Sequence, residues 1–180
     1  MAKKNRTIML AQDIERSLTR MALQIMEDNR GTRKLALIGI HTGGVFLADR
    51  LQRIIRGHEG LELPVGYLDI TLYRDDWSLV SQNPIVKKTE IPFSVEECTL
   101  ILVDDVLYTG RTIRAALDAI MDLGRPRVIQ LAVLINRQCG RELPIQPNYS
   151  GLDVHEHLTD HVDVMLQEKG GRDEVVLESD

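Results

Sequence analysis

Aromatic side chains are scarce: one Trp, two Phe and four Tyr make up 4% of the 180 residues. A stacking platform for single-stranded nucleic acid, which needs several aromatics, is therefore not expected. Only two cysteines are present, Cys98 and Cys139, far apart and without metal-ligand spacing. Ordinary reduced side chains of a cytoplasmic protein are the expectation for both. No hydrophobic run approaches the ~20 apolar residues of a membrane span, because Arg, Lys, Asp or Glu interrupts each one. The basic start, with Lys3, Lys4 and Arg6, is followed by too short an apolar stretch for a signal-peptide core. A soluble chain with no membrane partner is expected. Surplus positive charge is lacking too: the net charge of -5 gives no global attraction to phosphate backbones, while leaving room for a local basic patch.

What is present is ordinary globular material, 43% hydrophobic and 27% charged, in a length that suits one domain over 1–180. Leu10, Ile14, Leu18, Met21, Ile25 and Met26 recur at helical spacing and predict an amphipathic helix ending near Asn29 to Gly31. Lys34 to Ile40 is a short apolar run, followed by Val45, Ala48, Leu51 and Ile55 at helical spacing. Leu63 to Leu72 predicts a strand, after which Tyr73 to Pro92 turns polar. A polar excursion of that length predicts a functional, flexible flap at about 73–92. Thr99 to Val103 is a continuously apolar strand ending at Asp104 and Asp105. Ile113 to Met121 predicts a helix stopped by Gly124, and Val128 to Ile135 another buried strand. Alternating strands and helices imply an α/β fold with a mostly parallel sheet flanked by helices. Two more strand-like pieces, Val162 to Leu166 and Val175 to Leu177, lie in a loop-rich tail that predicts a small C-terminal appendage.

Ligands of open α/β sheets bind beyond the carboxyl ends of the strands, where Asp104 to Thr112 must lie. Thr109, Gly110 and Thr112 offer hydroxyls and closely approachable N–H groups, and the helix beginning near Arg111 points its positive end at the same place. Two adjacent carboxylates would repel a phosphate, so Asp104 and Asp105 suit ribose hydroxyls or a Mg2+ ion better. The alternative is plain turn chemistry, with the two acids ending a strand and capping a helix.

The ordered string Ile101-Leu-Val-Asp-Asp-Val-Leu-Tyr-Thr-Gly-Arg-Thr112 resembles the phosphoribosyl-pyrophosphate (PRPP) loop of type I phosphoribosyltransferases. Further strings extend the resemblance over nearly the whole chain: Ser17 to Arg20, Asp69 to Asp76, Gly124 to Pro126, Gln130 to Leu134 and Arg141 to Ile145. Together they are similar to the family of bifunctional pyrimidine-operon attenuation proteins and uracil phosphoribosyltransferases. Purine-salvage relatives carry an acid where this chain has Tyr108, and that difference favours a pyrimidine.

The resemblance implies the type I fold with a flap and a hood at about 137–180. It also implies transfer of ribose 5-phosphate from PRPP to uracil, giving UMP and pyrophosphate with Mg2+. Asp104 and Asp105 would bind the ribose hydroxyls and, through PRPP, the metal. Val106, Leu107, Tyr108, Thr109, Gly110, Arg111 and Thr112 would hold the 5-phosphate, and Arg74 would close over the pyrophosphate. Thr42 and Gly43 fall in the pyrophosphate loop, where relatives usually have an arginine at the position of Gly43. Weaker PRPP binding or slower turnover than in such relatives is the expectation; His41 is read first as an exposed loop histidine without a role, the alternative being a partial substitute for the arginine. Arg137 and Val162 would contact uracil under the hood, although Asn136 to Arg141 is one residue longer than its counterpart. A homo-oligomer, dimeric or higher, follows from the same resemblance. Thr19 and Arg20 match a face that binds operon leader RNA, while Leu23 replaces a histidine frequent in RNA-binding relatives. The alternative reading is a UMP- or PRPP-sensing RNA-binding attenuator with residual catalysis.

Overall fold

A computed structural model describes residues 4–76, 87–155 and 160–179. In chain order the elements are β1 (Lys4–Leu10), α1 (Ala11–Asp28), β2 (Leu35–Ile40), α2 (Gly43–Glu59) and β3 (Val65–Leu68). They continue with β4 (Thr99–Leu107), α3 (Arg111–Leu123), β5 (Val128–Arg137), β6 (Tyr149–Val154), β7 (His161–Met165) and β8 (Glu174–Ser179). Five strands form a sheet in the order β3-β2-β4-β5-β6, with every neighbouring pair parallel. A second sheet, β1-β8-β7, is antiparallel.

The apolar runs become central strands because both faces of the large sheet are covered. Leu35, Leu37, Ile101, Val103, Ala132 and Leu134 face α1 and α2, whereas Ala36, Ile38, Leu100, Leu102, Leu131 and Val133 face α3. Alternate residues point to opposite faces, as the pleat requires. α1 buries Ile14, Leu18, Met21, Ala22 and Ile25. Asn29 then ties its end to β6, its side-chain amide donating to Ile25 O (2.8 Å) and the Tyr149 hydroxyl (3.2 Å). The small sheet shares the α1/α2 core through Met9, Val162, Val164, Val175 and Leu177. Among the described residues, no helix is long and apolar enough to cross a membrane.

Several boundaries differ from the sequence expectations. Leu10 is not the first buried position of α1; it ends β1, is exposed, and its N–H donates to Asp13 Oδ2 (3.0 Å) at the start of the helix. The hood is not drawn from 137–180 alone. β1 enters it from the other terminus by pairing with β8, and β6 leaves it to extend the large sheet beside β5. β4 does not stop at Val103, since its ladder with β5 carries on through Asp104 and Val106 to Leu107. Of the expected flap, 77–86 lies outside the described residues. Its later end returns onto edge strand β3, where Tyr67 and Glu90 exchange backbone hydrogen bonds. That contact satisfies part of the sheet's edge.

Candidate active site

The strand order places β2 beside β4, yet the chain leaves β2 through α2 toward β3 and leaves β4 through α3 toward β5. Connections diverging on opposite sides open a crevice at the carboxyl ends of these two strands. The loop after β2 and the end of β4 press together there. A Cβ at Gly43 would fall 1.9 Å from Asp105 Oδ2, and one at Gly44 would fall 2.2 Å from the Val103 carbonyl oxygen. Glycine at both positions is what lets the loop approach β4. The His41–Thr42 peptide within this loop is cis.

Asp104 is buried, 5% exposed, and its Oδ1 accepts the Asp105 N–H at 2.9 Å. Burial first, then the neighbouring Asp105 carboxylate, pushes the Asp104 carboxyl well above the usual carboxylate range. Asp105 is more open, accepts the Val106 N–H at 2.9 Å, and has Lys169 Nζ 3.6 Å from Oδ2.

Beyond β4 the turn Tyr108 to Gly110 leads into α3. Gly110 adopts φ +93°, a left-handed conformation that suits glycine, and α3 begins at Arg111 with its N-terminal N–H groups facing the crevice end. The loop is braced from behind, with Thr109 O accepting the N–H groups of Glu142 (3.0 Å) and Leu143 (3.2 Å). Arg141 donates to Tyr108 O and to Asn136 Oδ1 (2.7 Å), so the longer segment after β5 is anchored to the loop it abuts. Arg137, buried at the end of β5, lies over the Tyr108 ring with 4.0 Å to its centroid.

The structure thus brings Thr42, Gly43, Asp104, Asp105, Tyr108, Thr109, Gly110, Arg111, Thr112 and Arg137 to one end of the sheet. Val106 and Leu107 sit within the β4 ladder opposite Ile135 and Asn136, and the Val106 N–H is already spent on Asp105. Val162 is placed in the hood's apolar core. Arg74 lies beside the turn, paired with Asp76 through two hydrogen bonds of 2.8 and 2.7 Å. Arg111 holds Asp75 (2.6 Å) and Glu142 (2.5 Å), and Arg74, Thr109 and Thr112 join it around a cleft of about 140 Å³. A larger cavity of about 540 Å³ opens at the amino ends of β2 and β3, away from the carboxylates and hydroxyls. Thr19 donates to its own helix at Glu15 O (2.9 Å), and Arg20 spends one guanidinium nitrogen on Ser150 O and Gly151 O of β6.

Four side chains at this end escaped the sequence reading. Asp69 gathers the two ends of the excursion by accepting Thr71 N–H (2.9 Å) and Lys87 N–H (2.5 Å). Lys87 Nζ donates to Thr42 Oγ1 at 3.0 Å. Arg141 and Lys169 reach the site from later segments. The string Asp69-Ile-Thr71 carried a signal for the first, an Asx turn.

A phosphoribosyl transferase domain family matches residues 6–169. The bifunctional protein PyrR of Pelotomaculum thermopropionicum is 54% identical over 177 residues, covering 98% of this chain and 97% of that protein. That of Deinococcus radiodurans is 53% identical over 171 residues, covering 95% and 93%. Among solved structures, a hypoxanthine phosphoribosyltransferase of Trypanosoma cruzi superposes with a TM-score of 0.73 at 18% identity, over 96% of this chain and 90% of that one. A hypoxanthine-guanine enzyme of Bacillus anthracis gives 0.68 at 18% identity, over 86% of each. These two share the fold, whereas the first two share the sequence from end to end. The chain therefore belongs to the phosphoribosyltransferases and, within them, to the family of the bifunctional PyrR proteins.

Proposed function

We propose that this crevice transfers ribose 5-phosphate from PRPP to N1 of uracil, releasing UMP and pyrophosphate, and that the same protein regulates pyrimidine-operon expression. The observation that carries the enzymatic reading is the meeting of a glycine-lined loop, an adjacent carboxylate pair and a helix-start turn at the point where the chain diverges. The turn from Tyr108 to Thr112 binds the 5-phosphate with N–H groups and the Thr109 and Thr112 hydroxyls. Asp105, and Asp104 behind it, accept the ribose hydroxyls. Held at both ends, the ribose ring presents C1 while its bond to pyrophosphate oxygen breaks and the bond to uracil N1 forms. The N1 proton leaves with the products. Positioning lowers this barrier more than acid or base chemistry does.

Mg2+ fits as a guest of the substrate. Among the described residues no three His, Cys, Asp or Glu side chains cluster, so Asp105 and Asp104 would hold it with PRPP and water completing its oxygen shell. Bound there, it supplies charge against the pyrophosphate. Thr42 and the Gly43 backbone face that group, Arg74 closes over it, and Arg137 with Tyr108 borders the uracil.

Regulation uses the outer face of α1, with Thr19 and Arg20, in a cytoplasmic homo-oligomer that binds operon leader RNA when UMP occupies the site. The test is UMP formation from uracil and PRPP with Mg2+, where Asp105→Asn should cost roughly 100-fold or more. Absence of UMP from the unaltered protein would refute the enzyme. A second arm measures affinity for the leader hairpin of its own operon: UMP-insensitive or sequence-independent binding would refute the regulator.

A further inference from the structure

A departing pyrophosphate gathers negative charge, and a site that promotes its departure needs a cation where that charge develops. The loop after β2 offers little of this itself. Gly43 has no side chain, and the space beside it is filled by the Asp105 carboxylate, which a Cβ would strike at 1.9 Å. Lys87 reaches the loop, but its ammonium is engaged on the Thr42 hydroxyl at 3.0 Å.

A second cation arrives from the hood. Lys169 lies on the short helical turn Gln167–Lys169 between β7 and β8, and its Nζ stands 3.6 Å from Asp105 Oδ2, the oxygen that Gly43 makes room for. That separation is at the long end of an ion pair, too long for a hydrogen bond, so the ammonium keeps its donors for an incoming anion. Its placement is not left to a free loop. Arg50 of α2 clamps both sides of the turn: it bonds Glu168 at 2.8 and 2.6 Å and Asp173 at 2.9 and 2.7 Å, while Asp173 Oδ1 also accepts the Gln167 N–H at 2.9 Å. α2 starts at Gly43 itself. One helix thus fixes both the glycine loop and the lysine opposite it.

We infer that Lys169 is a substrate-contacting residue that supplies the cation on the pyrophosphate side of the Asp104–Asp105 pair, binding the pyrophosphate of PRPP and of the product. The assignment rests on the crevice being the phosphoribosyl-transfer site. With the ligand absent the ammonium pairs with Asp105; with it present the ammonium turns onto phosphate oxygens, leaving Asp105 to the ribose. Arginine at 169 keeps the function, since it retains the charge and gains a second donor for phosphate.

The experiment uses the full-length protein with Lys169→Met, Lys169→Gln and Lys169→Arg, and inorganic pyrophosphate as the probe, titrated calorimetrically with and without Mg2+. Met and Gln variants should weaken pyrophosphate binding roughly tenfold and raise KM for PRPP similarly, the size expected for one charge-assisted contact. KM for uracil should stay unchanged, Tm should move by no more than about 2 °C, and Lys169→Arg should restore binding. Unchanged pyrophosphate affinity in both neutral variants would overturn the inference, and so would equal losses toward uracil and pyrophosphate. Failure of the enzymatic reading is distinct: no UMP would form with the unaltered protein, whatever Lys169 does for pyrophosphate.

Discussion

The two sheets of this protein share one apolar core but treat charge in opposite ways. In the parallel sheet, the three central strands β2, β4 and β5 are apolar over most of their length, and among these three carboxylates enter only at the carboxyl end of β4, where Asp104 and Asp105 lie at the crevice. In the antiparallel hood, charged and polar residues alternate with core residues, as in β7 with its pattern of exposed His161 and Asp163 against buried Val162 and Val164. Its attachment to the rest of the molecule includes the ion-pair cluster of Arg50 with Glu168 and Asp173. In the central strands the carboxylates gather at the candidate site, whereas in the hood they hold an ion-pair cluster with α2. The two meet at Lys169 and Asp105.

The strongest break in this comparison should come from Gly44→Ala. Its Cβ would lie 2.2 Å from a strand carbonyl, which cannot rotate away as a side chain can. The loop must then lift from β4, costing roughly 3 kcal/mol of stability and about 100-fold in UMP formation. Urea unfolding and steady-state rates measure both, and a variant with native rates would show that the close approach is dispensable.

Arg50→Met should act next, and on orientation. It strands Glu168 and Asp173, whose side chains are 25% and 14% exposed, with a cost of about 2 kcal/mol after allowance for solvent screening. Thermal unfolding should register this loss, together with a higher KM for PRPP from the loosened Lys169 turn.

The smallest effect is one of acid. Hydrogen bonds from Arg50, the largest cause for each, hold the Glu168 and Asp173 carboxyls below the usual carboxylate range. Depressed folded values mean that their contribution is present above the unfolded pKa values of about 4.3 and 3.9, and is lost as pH falls through the lower folded ones. The Tm of the unaltered protein should therefore decline below about pH 4, and Arg50→Met should show a shallower decline. Superimposable profiles would remove the cluster from the list of acid-sensitive contacts.

The parallel sheet was legible because strands buried on both faces are written as uninterrupted apolar runs, of which Thr99 to Val103 is the clearest. The turn before α3 was legible because Tyr108 to Thr112 combines glycine, hydroxyls and a helix start in consecutive positions. The hood was only half legible. Val162 to Leu166 and Val175 to Leu177 stood out, but Lys4 to Leu10 has four polar or charged residues before its apolar end and becomes a strand only against Val175, Val176 and Leu177 at the other terminus. β6 was hidden for a similar reason: Tyr149-Ser-Gly-Leu-Asp-Val154 carries a glycine whose missing Cβ lets it lie against Leu134 O, a fit visible only with β5 beside it.

The sequence by itself determined the alternating α/β order, the buried strands and the contiguous glycine-and-hydroxyl turn that starts α3, since each depends on residues within a few positions of one another. The tertiary structure decided which charges gather around it. Lys169 meets Asp105, Arg141 meets Tyr108 and Arg50 meets Glu168 and Asp173 across tens of residues or more, and groups so distant in sequence come together only when the elements pack on a common core.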